Sequence, residues 1–295
     1  MNKAIVILNP SSGSKESVKY KEMIEQILMT NNYQFKIRRT EKENDARRFA
    51  EEASGEGIDL LVVMGGDGTI NEVINGLVNK AHRPLLQVIP LGTVNNFARA
   101  VGVPLQVEDA LQLIENGTTM QVDIGEVNQQ YFSNLVNIGA IAEATYQVTP
   151  EQKSKLGSLA YFFEGLKKFR EKDVFPVTIE TAEITVETEA MLVLIAVTDT
   201  FASWKNILKE AEVDDGFLHI FAIKQLTNFE GVAMLTRMMN GSLKDQEQVE
   251  YFKVKKASIY TEETKVANVD GDEGAATPLH LSILPGHLHV LTSER

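Results

Sequence analysis

The sequence predicts two domains: an α/β N-terminal domain built on a parallel sheet, and a β-rich sandwich C-terminal domain. Three observations carry this expectation. Strand and helix patterns alternate over roughly the first 120 residues, as they do where helices cover a parallel sheet. Within that stretch an apolar run at 60–64 meets a glycine turn and then a helical stripe. After Asp123 the pattern changes to short runs rich in β-branched and aromatic residues.

The elements follow in chain order. Residues 3–8 form an apolar strand that ends at Asn9-Pro10-Ser11-Ser12-Gly13. Tyr20, Ile24, Ile27 and Leu28 give the next helix its inward face, and 34–39 form a second strand. A short helix over 44–53 leads to the strand at 60–64. Ile70, Val73, Ile74, Leu77 and Val78 then fall at i, i+3, i+4, i+7 and i+8, a helical stripe. A strand at 85–89 ends at Pro90, before Gly92, Thr93 and another helix. Ligands of such sheets bind beyond the carboxyl ends of the strands, where Asn9, Thr40, Gly65 and Gly92 all fall. In the second domain, strands are expected at 131–137, 174–180, 183–187, 190–198, 217–223, 249–260 and 265–269, with helices at 156–170 and 228–239. The division is 1–123 and 124–283, with 284–295 returning to the first domain, and a crossing strand is expected at the boundary.

Composition excludes several function classes. The chain of 295 residues has no cysteine, so disulfides, thiolate metal sites and a cysteine nucleophile are ruled out. The net charge of −12 opposes general nucleic-acid binding. No apolar run reaches the ~20 residues of a membrane span, and the N-terminus lacks the features of a signal peptide. A cytoplasmic protein is expected. The densest basic cluster is Lys153, Lys155, Lys167, Lys168, Arg170 and Lys172, beside an aromatic-rich helix at 156–166. That helix packs on the second domain's sheet or touches a membrane.

The turn Gly65-Gly66-Asp67-Gly68-Thr69-Ile70-Asn71-Glu72 is the strongest functional signal. Its glycines allow close backbone approach, and the helix start aims free N–H groups at an anion such as phosphate. Thr69 and Glu72 read as a T-x-x-E capping box. Asp67 has no capping role in that reading. A carboxylate beside phosphate calls for a cation between them, which points to Mg²⁺. Asn9 to Gly13 is a phosphate loop or an ordinary turn. Gly92-Thr93 is a second cradle or a capped loop. Asp123 is a metal-network carboxylate or a turn residue. Asp214-Asp215-Gly216 is a turn with or without a cation. For Asn268-Val269-Asp270-Gly271-Asp272-Glu273-Gly274 the spacing favours a hairpin over a catalytic or calcium loop. The five histidines lack metal-ligand spacing, and His287 and His289 read as structural.

Taken as an ordered set, these motifs resemble the diacylglycerol kinase catalytic-domain family in its soluble bacterial branch, over nearly the whole chain. The resemblance rests on N-P-x-S-G at Asn9 to Gly13, G-G-D-G-T-x-N-E at Gly65 to Glu72, and P-x-G-T-x-N at Pro90 to Asn95. V-D-I-G at Val122 to Gly125, D-D-G at Asp214 to Gly216 and V-D-G at Val269 to Gly271 complete it. It implies an N-terminal domain like those of NAD kinase and phosphofructokinase. It implies an ATP- and Mg²⁺-dependent lipid kinase, with diacylglycerol the first choice of acceptor, met at the inner membrane surface. It leaves room for a homodimer.

By resemblance, nucleotide binding falls to Asn9, Pro10, Ser11, Ser12, Gly13, Thr40, Gly65, Gly66, Asp67, Gly68, Thr69, Asn71, Glu72, Gly92 and Thr93. Asp270 becomes the base. Asp67 and Asp123 join a Mg²⁺–water network, and a structural cation is held by Asp215 with the carbonyls of Glu212 and Phe217. The chain departs from the pattern at Asn96, where an aspartate is usual, at Asp272 in place of glutamate, and over 199–209. Two other readings stay open: a soluble small-molecule kinase of the NAD kinase type, which shares G-G-D-G-T, and a nucleotide- or lipid-binding protein without turnover.

Overall fold

The computed structural model describes residues 2–12, 17–139, 174–200, 205–225 and 243–293. The chain divides into two compact units, residues 1–122 with 286–295, and residues 123–285.

In the first unit the parallel strands β1 (Asn2–Leu8), β2 (Tyr33–Arg39), β3 (Leu60–Gly65) and β4 (Leu85–Pro90) lie in the order β2-β1-β3-β4. The strand β16 (Leu279–Thr292) adds beside β4, with Val290 opposite Leu86 in parallel register. Burial follows position in the sheet. Central β3 is buried at every residue, so it reads as a continuous apolar run, while edge strand β2 is buried at none. Two helix pairs form, α2 (Asp45–Gly55) on α3 (Asp67–Leu77) and α1 (Ser17–Thr30) on α5 (Val107–Asn116). The expected stripe of α3 is fully used: Ile70, Val73, Ile74 and Leu77 are buried, as is Val78 beyond its end.

The second unit is antiparallel. Strands β7 (Leu135–Gly139), β10 (Leu192–Ala196), β11 (Leu218–Ile223), β12 (Val249–Val254), β14 (Val266–Val269) and β15 (Asp272–Ala276) form one sheet in the order β12-β11-β10-β7-β14-β15. β8 (Phe175–Thr181), β9 (Thr185–Ala190), β13 (Lys256–Thr261) and the first part of β16 form the other layer, in the order β16-β13-β8-β9. Their inner faces share one core, in which Val136, Ile138, Val193, Ile195 and Ile220 meet Val177, Ile179, Ile259 and Leu281. The first sheet is also covered on its outer face, where Leu192, Leu194 and Phe221 pack on Ile207, Leu208 and Leu243. That explains why β10 is apolar at every residue rather than alternating.

Two strands, β5 (Thr118–Val127) and β16, carry the chain from one unit to the other without a linker. Among the described residues no helix is long and apolar enough to cross a membrane. The helices expected at 156–170 and 228–239, and the basic cluster from Lys153 to Lys172, lie outside the described residues.

Two expected strands turn out to be four. The run at 131–137 divides into β6 (Gln130–Phe132) and β7, separated by Ser133-Asn134. The run at 249–260 divides at Lys255 into β12 and β13, which belong to different sheets. Across the second break the core-facing positions shift parity, from Phe252 and Val254 to Ala257 and Ile259, and across the first every residue from Tyr131 to Gly139 is buried.

Gly76 lies where α3 crosses α2. A Cβ there would sit 2.5 Å from the Arg47 carbonyl oxygen and 3.0 Å from Ala50 Cβ. Gly76→Ala is expected to push the helices apart and cost about 2 kcal/mol, read as a lower urea midpoint at unchanged m-value.

Candidate active site

The first unit brings four loops together at the carboxyl ends of its strands. Backbone bonds hold them in step: Asn9 N–H donates to Met64 O (3.0 Å), Thr40 N–H to Leu8 O (3.0 Å) and Leu91 N–H to Gly65 O (2.9 Å). The Asn9 amide donates to Thr69 Oγ1 at 2.8 Å, and its own Oδ1 accepts both the N–H and the hydroxyl of Ser11. One side chain thus ties the first strand's loop to the glycine turn.

The glycines are required by contact. A Cβ on Gly92 would lie 2.7 Å from Gly66 Cα, and one on Gly65 would lie 2.6 Å from Thr69 Cβ. The Gly66 and Gly92 backbones therefore pack directly on each other. Gly66 takes the N-cap position of α3 with no side-chain cap, so the N-cap residue leaves the first helical amides uncapped. A Cβ on Gly68 would meet nothing within 4 Å, so that residue faces open space. A cavity of about 690 Å³ adjoins this turn, lined by Asn9, Pro10, Ser11, Thr40, Thr69 and Glu72 among others. Bare helix amides, hydroxyls and glycines beside a cavity suit a polyphosphate.

Other expected binding residues take different places. Ser12 N–H closes the Asn9 turn at 3.2 Å, and Thr93 is exposed on the second glycine turn. Asn71 pairs along α3, its Oδ1 accepting the Asn75 amide at 2.8 Å. Gly13 lies outside the described residues.

Two capping expectations are corrected. Thr69 and Glu72 form no capping box, because the N-cap falls at Gly66 and Thr69 is already the third helical residue. Glu72 instead accepts the Ala46 N–H at 3.1 Å, capping the neighbouring helix α2. Asp67 does have a capping role, toward α4 (Asn96–Ala100): its Oδ1 accepts the Phe97 N–H at 3.3 Å. Burial raises the Asp67 pKa above the usual carboxylate value, while the amides of Phe97, Asn95 and Asn96 pull it back. Asp67 is thus oriented by a helix start before any cation is considered.

In the second unit Asp270 and Gly271 join β14 to β15. Both have positive φ, +51° and +106°, as a two-residue type I′ hairpin requires, so the hairpin reading holds. The Asp270 carboxylate also receives four hydrogen bonds. Oδ2 accepts Ser133 N–H (2.7 Å) and the Ser133 hydroxyl (3.2 Å), and Oδ1 accepts the N–H groups of Asn134 (3.0 Å) and Leu135 (2.9 Å). Burial raises its pKa, and these donors oppose the rise. This carboxylate creates the break between β6 and β7. Asp272, two residues on, is exposed.

The Asp214-Asp215-Gly216 turn is held by side chains from elsewhere in its unit. Asp123 Oδ2 accepts the Gly216 N–H at 2.6 Å, so Asp123 serves here as a turn anchor. Asp215 Oδ1 accepts the Phe217 N–H at 3.0 Å, and Oδ2 accepts from Lys253 Nζ at 2.8 Å. Burial lowers the His219 pKa, favouring the neutral ring, although the Asp215 charge opposes this. Burial, with the Glu210 and Asp215 charges, pushes the Tyr251 hydroxyl up to about 12. A neutral imidazole has one N–H, and Asp215 can only accept. The Tyr251 hydroxyl therefore donates to His219 Nδ1 (2.8 Å) and His219 Nε2–H to Asp215 Oδ2 (3.0 Å). Among the described residues no cluster of three His, Cys, Asp or Glu has the geometry to hold a metal ion. A divalent ion in the first unit would need phosphate oxygens as its main ligands.

Comparison with known proteins fits this arrangement. Residues 3–127 match the diacylglycerol kinase catalytic domain, and 134–292 match the YegS C-terminal NAD kinase beta sandwich-like domain. The chain belongs to the diacylglycerol kinase catalytic-domain family. A diacylglycerol kinase of Bacillus subtilis (strain 168) is 32% identical over 292 residues, covering 99% of this chain and 96% of the relative. One from Staphylococcus aureus (strain MRSA252) is 33% identical over 290 residues, covering 98% and 91%. A crystal structure of a diacylglycerol kinase from Bacillus anthracis str. Sterne is 29% identical and superimposes with a TM-score of 0.84 over 99% of this chain and 97% of that one. The expected class, a phosphotransferase acting on an alcohol, is the one this family carries.

Further residues of this family member complete the two turns. Asn95, at φ +55°, accepts the Gly92 N–H on Oδ1 (2.9 Å) and donates Nδ2 to Gly92 O (2.8 Å), which clamps the second glycine turn. An Asn in a position open to left-handed backbone, three residues after a glycine, was the available signal. The amides of 133–135 and the side chains of His219, Tyr251 and Lys253 had none, because pairing across strands brings them in.

Asp270→Asn would turn an amide N–H toward amides that need an acceptor. The variant is expected to lose about 3 kcal/mol in chemical denaturation, with Ser133→Ala losing much less because the backbone donors remain.

Proposed function

We propose that this chain transfers the γ-phosphoryl group of ATP to a lipid hydroxyl, with diacylglycerol as the acceptor and phosphatidic acid as the product. The observation that carries this reading is the glycine turn of α3 packed on Gly92 beside the 690 Å³ cavity, in a chain of this family. Mg²⁺ enters as the counter-ion of the triphosphate, neutralising charge that would otherwise oppose attack.

The chain's own part is positioning and proton handling. The first amides of α3 and the hydroxyls of Ser11, Thr40 and Thr69 are suited to hold phosphate oxygens. Asn9 keeps the Thr69 side chain in place. As the acceptor oxygen bonds to the γ-phosphorus and the bond to the bridging oxygen breaks to release ADP, the hydroxyl proton must leave. The resemblance gives that task to Asp270, whose oxygens already accept four hydrogen bonds. We assign Asp270 to holding the turn and Asp272, exposed beside it, to receiving the proton. The lipid acceptor brings the reaction to the bilayer surface, on the cytoplasmic side where ATP is available.

The test is transfer of labelled phosphate from ATP to diacylglycerol in mixed micelles, with NAD as the competing acceptor. Lipid should be labelled, NAD should not, and EDTA should stop the reaction. Labelling of NAD alone would replace the lipid kinase reading with the soluble one. Asp272→Asn is expected to lower kcat by about 100-fold or more with little change in KM for ATP or in Tm. Full turnover in Asp272→Asn, with loss of kcat in a folded Asp270→Asn, would return the proton to Asp270.

A further inference from the structure

We propose that Lys253 supplies, from within the chain, the positive charge that a divalent cation would bring to the Asp215 turn, so that the second unit needs no resident metal. The family resemblance implies a structural cation bound by Asp215 with the carbonyls of Glu212 and Phe217. The donor set in this chain does not fit such an ion.

Both oxygens of Asp215 are engaged. Oδ2 receives Lys253 Nζ at 2.8 Å and His219 Nε2 at 3.0 Å, and Oδ1 receives the Phe217 N–H at 3.0 Å. The Glu212 carbonyl receives the Asp215 N–H at 3.4 Å as part of the turn. A divalent ion on Oδ2 would sit against an ammonium on the same oxygen, and like charges at that separation repel strongly where solvent is partly excluded. Asp215 has 15% of its side chain exposed and Lys253 43%, so water screens the charges only in part.

Lys253 is held in this place by the sheet. The antiparallel register of β11 and β12 puts Lys253 directly opposite His219 and Val254 opposite Leu218. The Lys253 ammonium also lies over the Phe217 ring, 4.6 Å from its centroid, with Lys255 over the same ring at 5.4 Å. Two ammonium groups therefore flank the residue whose carbonyl would be a metal ligand, adding to the field that opposes a second cation. A tethered ammonium is present at every ion concentration, so the fold of this unit is uncoupled from the supply of divalent ions.

The test uses the full-length protein without nucleotide, so that neither kinase activity nor nucleotide-bound Mg²⁺ enters the readout. After EDTA treatment and desalting, elemental analysis should find far less than one divalent ion per chain. The Tm of the wild type should stay within ~1 °C when Mg²⁺ or Ca²⁺ is restored. Lys253→Met should lower Tm and make it rise again with added Mg²⁺ or Ca²⁺, whereas Lys253→Arg should keep the wild-type behaviour. One tightly held ion per wild-type chain, or a wild-type Tm that falls in EDTA and recovers with Mg²⁺, overturns the proposal. A Lys253→Met protein as stable as wild type overturns it too. If that variant does not fold, the wild-type metal content and Tm still decide.

Discussion

Asp67 and Asp270 each accept backbone amides at a bend, Asp67 that of Phe97 at the start of α4 and Asp270 those of 133–135. Consecutive N–H groups on one side of a bend make a concave donor surface, and a carboxylate is its natural occupant. In both units this interaction sets where a functional turn begins. Asp67 fixes the start of α4 relative to α3, which brings Gly92 against Gly66. Asp270 interrupts what would be one strand and makes it β6 and β7. Burial makes the charged carboxylate costly, and the amides offset that cost. The negative charge that phosphate chemistry must manage is thus already oriented by backbone.

The close approach of Gly66 to Gly92 depends on the same arrangement. Two backbones this close leave no room for a Cβ on Gly92, and one on Gly66 would lie 3.2 Å from the Gly92 Cα. Asn95 then clamps the second turn through both ends of its amide, and Asn9 ties in the third loop through Thr69. None of these asparagines needs a charge. They hold hydroxyls and N–H groups in a fixed geometry, and such preorganisation is where phosphoryl-transfer sites in general gain most of their effect.

The second unit manages its acidic turn differently. Asp215 is balanced by a lysine from the next strand and a histidine from its own, with Tyr251 behind the ring. In a chain of net charge −12, a buried-side carboxylate without a partner would be expensive. Cross-strand register provides the partner, since it places Lys253 opposite His219. Asp123 completes the turn by accepting the Gly216 N–H.

The sequence by itself determined the fold class, the order of the first unit's elements and the glycine turns. These are written in local periodicity and in glycine placement, and the buried stripe of α3 and the continuous apolar run of β3 followed it residue by residue. The same local logic marked Asn9, Thr40, Gly65 and Gly92 as loop positions on one end of the sheet. Tertiary structure decided what each polar side chain does there. Glu72 caps α2 rather than its own helix, Asp67 caps α4, Asp270 breaks a strand 135 residues earlier in the chain, and Lys253 meets Asp215. Each of these pairings joins residues far apart in sequence, and a hydrogen bond is specified by distance and direction in space. No spacing rule along the chain encodes that, so the carboxylates could be found by reading but their partners could only be seen.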